Sequence, residues 1–156
     1  MKKCIVMVVA LVLVGMMNVG LCAGGGPILY NDRGITLMAT DADIITDWPE
    51  HEGQTVIKIF YEARNDSDVD RFVSCNGATI NNRNHIGGFA GINLGAHSIK
   101  EDTLLIFLYE AGMSSTNEIN SFELEMTSWD SEGSDKYTHH DMKSKIPGSW
   151  LKRALQ

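Results

Sequence analysis

Apolar and polar residues alternate along most of this chain, which is the period of a β-strand with one buried face. The clearest alternation runs from residue 120 to residue 129, and the same period recurs over residues 35–39, 55–63 and 70–76. Residues 102–109 are apolar at both parities, which is typical of a strand covered on both sides. We expect each of these segments to be a strand.

The parity of the 120–129 segment predicts which of its side chains are buried. Leu124 and Met126 share a face and are expected to point into the core, together with Phe122. Glu123 and Glu125 share the other face with Thr127 and are expected to point to water, because successive side chains of a strand point to opposite sides.

Glycine, proline and asparagine mark the connections between these strands. Residues 48–53 contain a proline and a glycine, both of which interrupt a ladder, so this segment is predicted to be a connection. The pair Asn76-Gly77 tolerates positive φ and predicts a tight turn, with a brief strand at residues 78–80 after it. Residues 81–95, NNRNHIGGFAGINLG, are rich in glycine and asparagine and predict a loop with a short strand near Ile92.

About seven short strands, separated by turn signals roughly every ten residues, predict an all-β antiparallel sandwich. The last edge strand is expected within residues 136–146, and residues 110–117 are expected to form a connection or a single helical turn. The sandwich domain is predicted to cover residues 28–149, after a flexible leader at 24–27. Residues 150–156 are predicted to be a tail that forms a helical turn or frays.

The chain begins with two lysines followed by an apolar run from Cys4 to Met17 and then by small residues up to Ala23. This is the pattern of a secretory signal peptide, predicted here to span residues 1–23. Two alternatives remain. Residues 4–23 are just long enough to span a bilayer as an uncleaved anchor, and Cys22 is a candidate for lipidation, although Leu21 is bulkier than a lipoprotein signal normally has before its cysteine.

Net charge and cysteine content limit the partners and the cross-links that this chain can have. The net charge is −7, and it becomes −9 once residues 1–23, with two lysines and no acid, are removed. A surface this acidic repels phosphate backbones, so nucleic acid is not an expected partner. After cleavage only Cys75 remains, which excludes an internal disulfide, and Cys75 is predicted to be a buried apolar residue.

Part of the chain resembles a known family. The run IKIFYEARNDSDVDRFVSCNGATIN, together with INLGAHSIKEDTLLIFLYEAGMSSTNEINSFELEMTSWDSEGSDKY, is similar to a recurrent domain of uncharacterised secreted proteins and lipoproteins of Gram-positive bacteria. The resemblance covers about residues 55–137 and departs from the pattern at the glycine-rich residues 87–95. It implies an immunoglobulin-like β-sandwich outside the cell, and it implies no catalytic residue.

Histidines and aspartates at close spacing are the residues of this sequence that could carry chemistry. His139 and His140 are adjacent to Asp141, but neighbouring residues of a strand point to opposite faces, so the two histidines are not expected to share a metal. Asp66, Asp68 and Asp70 alternate without the glycine and glutamate of an EF-hand loop and are interpreted as turn residues. A weak calcium site of another kind at one end of the sandwich remains the alternative for these acids; neither a metal site nor a cofactor is predicted.

Binding residues are predicted in the loops. Asn84, His85 and Phe89 lie in the glycine-rich segment, because mobile loops on rigid β scaffolds often carry binding. Trp48 and Trp129 lie near predicted loop ends, where an exposed indole would stack on a sugar or anchor a protein and a buried one would cap the core.

The function expected from these observations is that of a secreted, non-catalytic binding or accessory module with a protein or carbohydrate partner. Membrane contact is expected only through an uncleaved signal or a lipidated Cys22. Lipidation of Cys22 would make the chain a lipoprotein at the cell surface. Two further functions remain open. One is a small secreted hydrolase, which requires clustered polar groups such as His139, Asp141 and a serine. The other is a structural subunit that pairs through an edge strand.

Overall fold

The computed structural model describes residues 25–48, 51–86, 88–130 and 139–156. Within these ranges the chain forms nine strands, two short 3-10 turns (Leu108–Ala111 and Thr116–Glu118) and one helix, α1 (Gly148–Ala154). The strands are β1 (Ile28–Asp32), β2 (Ile35–Trp48), β3 (His51–Asn65), β4 (Arg71–Ile80), β5 (Arg83–Ile86), β6 (Gly88–Leu94), β7 (Ile99–Phe107), β8 (Phe122–Asp130) and β9 (His139–Ile146). All their pairings are antiparallel, which confirms the predicted all-β class.

The hydrogen-bonded order of the strands is β1-β2-β3-β7-β6-β4-β8-β9, with β5 beside β4. We call β1, β2, β3 and β7 the first sheet, and β6, β4, β8 and β9 the second sheet. Strand β6 joins them, since Gly88 and Phe89 pair with β7 whereas residues 90–94 pair with β4. The chain therefore passes from one sheet to the other in the middle of a strand.

The two sheets enclose a single core. Most of the core side chains come from alternate residues of the strands, as in β3, where Ile57, Ile59 and Tyr61 are almost completely inaccessible. In β8 the buried parity contains Leu124 and Met126, as the alternation of the sequence predicts. Burial of this apolar parity is the main force that holds the sheets together, at roughly 25 cal/mol per Å² removed from water.

Strands β1 and β9, at the two ends of the order, lie close to each other. The Tyr30 hydroxyl is 2.6 Å from Ser128 Oγ in the interior, which links β1 to β8. Asp32 Oδ2 of β1 is 4.0 Å from His140 Nδ1 of β9. These polar contacts fix β1 against the second sheet without a backbone ladder between β1 and β9 among the described pairings.

Asn65 organises the turns at one end of the sheets. Its side chain is fully buried, and its Nδ2 donates to the carbonyl oxygens of Val69, Leu94 and Gly95 at 2.8, 3.2 and 3.0 Å. Its Oδ1 accepts from the Ser67 backbone N–H at 2.9 Å. The side chain of Asn65 thus joins two turns by hydrogen bonds, the one that follows β3 and the one that follows β6.

Residues 81–95 do not form the predicted loop. Asn81 and Asn82 make a tight turn at positive φ, after which β5 and β6 return along β4. The glycines reduced the apolar signal in the sequence, but Gly91 serves close packing, since a Cβ atom there would be 2.9 Å from the Phe72 ring. Together with β1, these strands raise the count from about seven to nine in the described ranges.

Two further predicted connections differ in the structure. The pair Asn76-Gly77 is not a tight turn, because β4 continues to Ile80 with a shift of register at Asn76, a bulge that keeps both halves paired to β8. Residues 48–53 were predicted to be a connection, but β2 extends to Trp48 and β3 begins at His51, so the two strands form one long hairpin. At both positions, pairing with a neighbouring strand outweighs the low strand propensity of proline, glycine and asparagine.

The two ends of the described chain are attached to the sheets. Gly26 donates its N–H to the Ala39 carbonyl at 2.9 Å, and Ala39 donates to the Pro27 carbonyl at 3.0 Å, so the last residues before β1 pair with β2. Helix α1 buries Leu151 and packs the indole of Trp150 close to Gly26. The helical turn expected in the tail is present, and it contributes to the core.

Candidate binding face

The predicted binding residues do not lie together. Trp129 is near the end of β8, whereas Asn84 and His85 are in β5, at the opposite end of β4 and about 25 Å away at 3.3 Å per residue. Phe89 is in β6 at the junction with β7. The side chains of these last three residues lie outside what the structure describes.

Trp48 belongs to an aromatic group at the far end of the first sheet. Its ring meets Phe107 edge-on with the centroids 6.1 Å apart, and Phe107 in turn contacts Tyr109 at 5.8 Å. Phe107 is largely buried, so the indole of Trp48 covers the core here. Of the two functions considered for Trp48, capping the core is the one its contacts favour.

Trp129 has a different environment, on the solvent side of the second sheet. Its neighbour Ser128 points inward to Tyr30, so Trp129 points outward, where it remains partly exposed. Its ring lies beside that of Phe72, with centroids 5.3 Å apart and a 35° angle between the planes. The Phe72 ring extends over Gly91 of β6, so the two rings form an aromatic stripe across β6, β4 and β8.

A row of polar side chains lies next to the stripe, two residues further along the strands. Ser74 Oγ donates to Asn76 Oδ1 at 3.1 Å, and Asn76 Nδ2 donates to Thr127 Oγ1. Thr127 Oγ1 donates to Asp141 Oδ1 at 2.7 Å. Only 2% of Thr127 is exposed although it lies on the solvent side of β8, because its neighbours in this polar row cover it.

An ion pair continues the same face. Lys143 Nζ of β9 is 2.7 Å from Glu125 Oε1 of β8, and this hydrogen bond raises the pKa of Lys143. Asn76, Thr127, Asp141 and this pair line a surface depression of about 410 Å³. We call the aromatic stripe, the polar row and this depression the binding face.

A larger depression of about 580 Å³ is lined by Phe60, Asp41, Glu101 and Asp102 of the first sheet. The Lys58 ammonium group covers one face of the Phe60 ring, with Nζ 4.8 Å from its centroid, and Tyr61, which also lines the depression, is buried. Among the described residues there is no group of three acids, histidines or cysteines that could hold a metal ion. Size alone therefore does not make this depression the better candidate.

The alternating aspartates of the first chain reversal have separate partners. Asp66 Oδ1 accepts from Arg64 at 2.7 Å, Asp68 Oδ1 is 2.9 Å from His97 Nε2, and Asp70 Oδ1 accepts from the Ala96 N–H at 2.8 Å. Their carboxylates each engage a different neighbour instead of converging on one point. This arrangement fits the turn interpretation of the three acids.

The hydrolase alternative requires His139, Asp141 and a serine within hydrogen-bond reach of one another. Asp141 accepts from Thr127, and the side chain of His139 lies outside the described residues. His140 is instead the one whose cross-strand partner is a serine, Ser128, with Asp32 nearby. The Ser128 hydroxyl is bonded to Tyr30, however, and His140 Nε2 has no partner among the described residues, so the nucleophile-base hydrogen bond of a triad is not formed there.

Phe72, Asn76 and Thr127 were not singled out from the sequence. The signal that could have found Phe72 is parity, because Phe72 and Trp129 both fall on the polar parity of their strands. An aromatic residue at a solvent-facing position is not required by the core and is a binding candidate for that reason. The pairing of β4 with β8, which no local pattern indicates, is what brings the two rings together.

The predicted signal peptide and Cys22 lie outside the described residues. Within the part of the chain that is described, no helix is long and apolar enough to cross a membrane.

No family model matches the chain, and no curated protein matches it. A crystal structure of a functionally unknown protein from Listeria monocytogenes EGD-e is similar, with 14% sequence identity over 79% of this chain and 84% of that chain, at a TM-score of 0.47.

Proposed function

We propose that this chain is an exported, non-catalytic binding module of immunoglobulin-like β-sandwich type that acts at or outside the cell surface. Export is supported by the two lysines and the apolar run at the start of the sequence. The immunoglobulin-like assignment is supported by the sequence resemblance and by two antiparallel sheets around one core. Neither feature identifies where a ligand is held.

The observation that carries the binding proposal is the Phe72–Trp129 pair on the solvent side of the second sheet. Two large rings at water-facing positions expose apolar surface that the core does not require. Aromatic residues are enriched where proteins bind ligands and partners, because they combine a large contact area with few rotatable bonds. The polar row beside them offers directional hydrogen bonds, which an aromatic surface alone lacks.

Strand pairing through an edge is a less suitable function for this fold. The open part of β2 beyond β1 carries Asp41 and Asp43, whose carboxylates accept the N–H groups of Ala42 and Ile44 at 2.8 Å each. Asp102 does the same for Thr103 on β7. Charged side chains that occupy the N–H groups of an edge oppose the addition of another strand.

Cosedimentation with an envelope preparation from the native host tests the binding proposal. We expect the protein to sediment with the envelope and Trp129→Ala to abolish most of this binding. Phe60→Ala is the matched control, since it removes a ring from the first sheet and leaves the binding face intact. Equal sedimentation of Trp129→Ala and the unaltered protein would overturn the proposal.

A further inference from the structure

We infer that the ligand of the binding face is an uncharged carbohydrate chain; this inference rests on the proposed function and specifies its ligand. A sugar ring has an apolar face of C–H groups and a rim of hydroxyls. It therefore needs a flat apolar surface and, at the edge of that surface, a set of hydrogen-bond donors and acceptors. The binding face supplies these two elements side by side.

The aromatic stripe supplies the apolar surface. Phe72 lies low on the sheet because Gly91 beneath it has no side chain, and Trp129 continues the surface on the neighbouring strand. Their centroids are 5.3 Å apart with 35° between the planes, so the two rings pack against each other in an offset arrangement, and the apolar surface they offer is the part of each ring that stays partly exposed. An apolar surface without a pocket suits the C–H face of a sugar ring better than it suits a protruding protein side chain, which requires a pocket.

The polar row supplies the hydrogen-bonding groups for the hydroxyl rim. It is separated from the stripe by two residues along each strand, a distance of roughly 7 Å. Asn76 presents an amide and Asp141 a carboxylate, and both are held in place by Thr127. Amide and carboxylate groups can each engage two neighbouring hydroxyls, which gives specificity without requiring charge on the ligand.

The direction of the ligand follows from the register. Phe72 and Trp129 are cross-strand partners, as are Thr127 and Asp141, so the stripe and the polar row both run across the strands. The two are therefore parallel. A chain of sugars placed across the strands would stack on the stripe and direct its hydroxyls to the row along its whole length.

Charge favours a neutral ligand. The net charge of −7 disfavours an anionic polymer, and the exposed ammonium group of this face, Lys143, is already paired with Glu125. A protein partner is also less suitable, because protein interfaces are depleted in charged groups, whereas Asp141, Glu125 and Lys143 all line the depression of this face.

Affinity electrophoresis through gels that contain a mixed-linkage β-glucan, an arabinoxylan or a galactomannan tests the inference. We expect at least one of these neutral polysaccharides to retard the protein. Trp129→Ala and Asn76→Ala should each weaken binding about tenfold, the change that corresponds to losing about 1.4 kcal/mol of binding free energy. Phe60→Ala should migrate like the unaltered protein. Because the Asn76 side chain is exposed, Asn76→Ala keeps the test informative if Trp129→Ala fails to fold.

Treatment of the host envelope separates failure of this inference from failure of the proposed function. Binding that survives protease but is lost after periodate oxidation of the envelope supports a carbohydrate, whichever polysaccharides retard the protein. Binding that survives periodate but is lost after protease identifies a protein ligand, which overturns the inference and leaves the proposed function standing. Absence of both envelope binding and retardation overturns both. Retardation that Trp129→Ala and Asn76→Ala leave unchanged overturns the inference alone, because the polysaccharide is then held elsewhere on the protein.

Discussion

Gly91 lies under the ring of Phe72, where an added Cβ atom would be 2.9 Å from the Phe72 Cζ atom. Trp129 belongs to β8, on the other side of β4 from Gly91, and its ring packs against that of Phe72, so Phe72 cannot move towards β8 without displacing the indole. We therefore expect Gly91→Ala to tilt the aromatic stripe and to lower the free energy of unfolding by about 1 kcal/mol, the lower end of the cost of overpacking. Urea unfolding measures the loss, and near-ultraviolet circular dichroism reports the rearranged rings.

Gly95→Ala is the matched control for this substitution. A Cβ atom at position 95 would be 3.7 Å from Asp70 Oδ1 and 3.9 Å from Ser98 Oγ, which are ordinary contacts. Its unfolding midpoint and its aromatic signal should remain close to those of the unaltered protein. An unchanged aromatic signal in Gly91→Ala would contradict the packing described for Phe72.

Asn65 is expected to be the most sensitive polar residue of the fold. Asn65→Ala removes the donor that serves the carbonyl oxygens of Val69, Leu94 and Gly95, and the Asn65 side chain itself is fully buried. Buried groups that lose their partner cost about 1–3 kcal/mol each, so we expect a loss of roughly 2–3 kcal/mol in the free energy of unfolding. Denaturant titration measures it. Asn93→Ala, at an exposed position of β6, should change stability by less than about 0.5 kcal/mol.

Parity and composition were sufficient to predict the class of this fold, and they fail where pairing between distant segments decides the structure. The face assignment of Leu124 and Met126 is correct because a half-buried strand imposes its period directly on the sequence. Residues 81–95 were misinterpreted as a loop because glycine and asparagine have low strand propensity, whereas β4 supplies their pairing from elsewhere in the chain.

The binding face was only partly accessible from the sequence for a related reason. Trp129 could be singled out as a large aromatic residue near a predicted turn. Its partner Phe72 is 57 residues earlier in the chain, and the polar row combines side chains from β4, β8 and β9. Which strands are neighbours depends on the free energy of the whole sheet, and a single sequence contains no local signal for it.

Asp41 and Asp43 are expected to keep the protein monomeric. Their carboxylates occupy the N–H groups of Ala42 and Ile44 on the open edge of β2. Replacing both acids by alanine would leave those donors free to pair with the edge of a second molecule. We expect Asp41→Ala/Asp43→Ala to self-associate in a concentration-dependent way, as measured by sedimentation velocity.

The Asp41→Asn/Asp43→Asn double variant separates the hydrogen bonds from the charge. Asparagine keeps an oxygen that can accept the same N–H groups, yet it removes two negative charges, as alanine does. If the hydrogen bonds protect the edge, the asparagine variant should remain monomeric under conditions in which the alanine variant associates. Equal association of the two variants would show that charge repulsion, and not occupation of the N–H groups, protects this edge.

Cys75 and Tyr61 are expected to set the alkaline limit of stability. Burial raises the pKa of the Cys75 thiol to about 11 from an ordinary value of 9.0, and burial likewise raises the pKa of the Tyr61 hydroxyl, which has no hydrogen-bond partner among the described residues. Between pH 9 and pH 11 the unfolded chain therefore releases the thiol proton that the folded chain retains. Stability is fully present below pH 9 and must fall as the pH rises through this window.

Urea unfolding between pH 7 and pH 11 tests this limit. A two-unit difference in pKa corresponds to about 2–3 kcal/mol, so the decline across the window should be of that order in the unaltered protein. Cys75→Ala should start from a lower stability at pH 7, because it leaves a small cavity, and should then decline less steeply up to the region where the tyrosines titrate. The test compares how steeply the free energy of unfolding falls with pH in the two proteins. The constant loss of stability caused by the cavity therefore does not affect the result. Parallel curves for the two proteins would show that the buried thiol does not retain its proton as described.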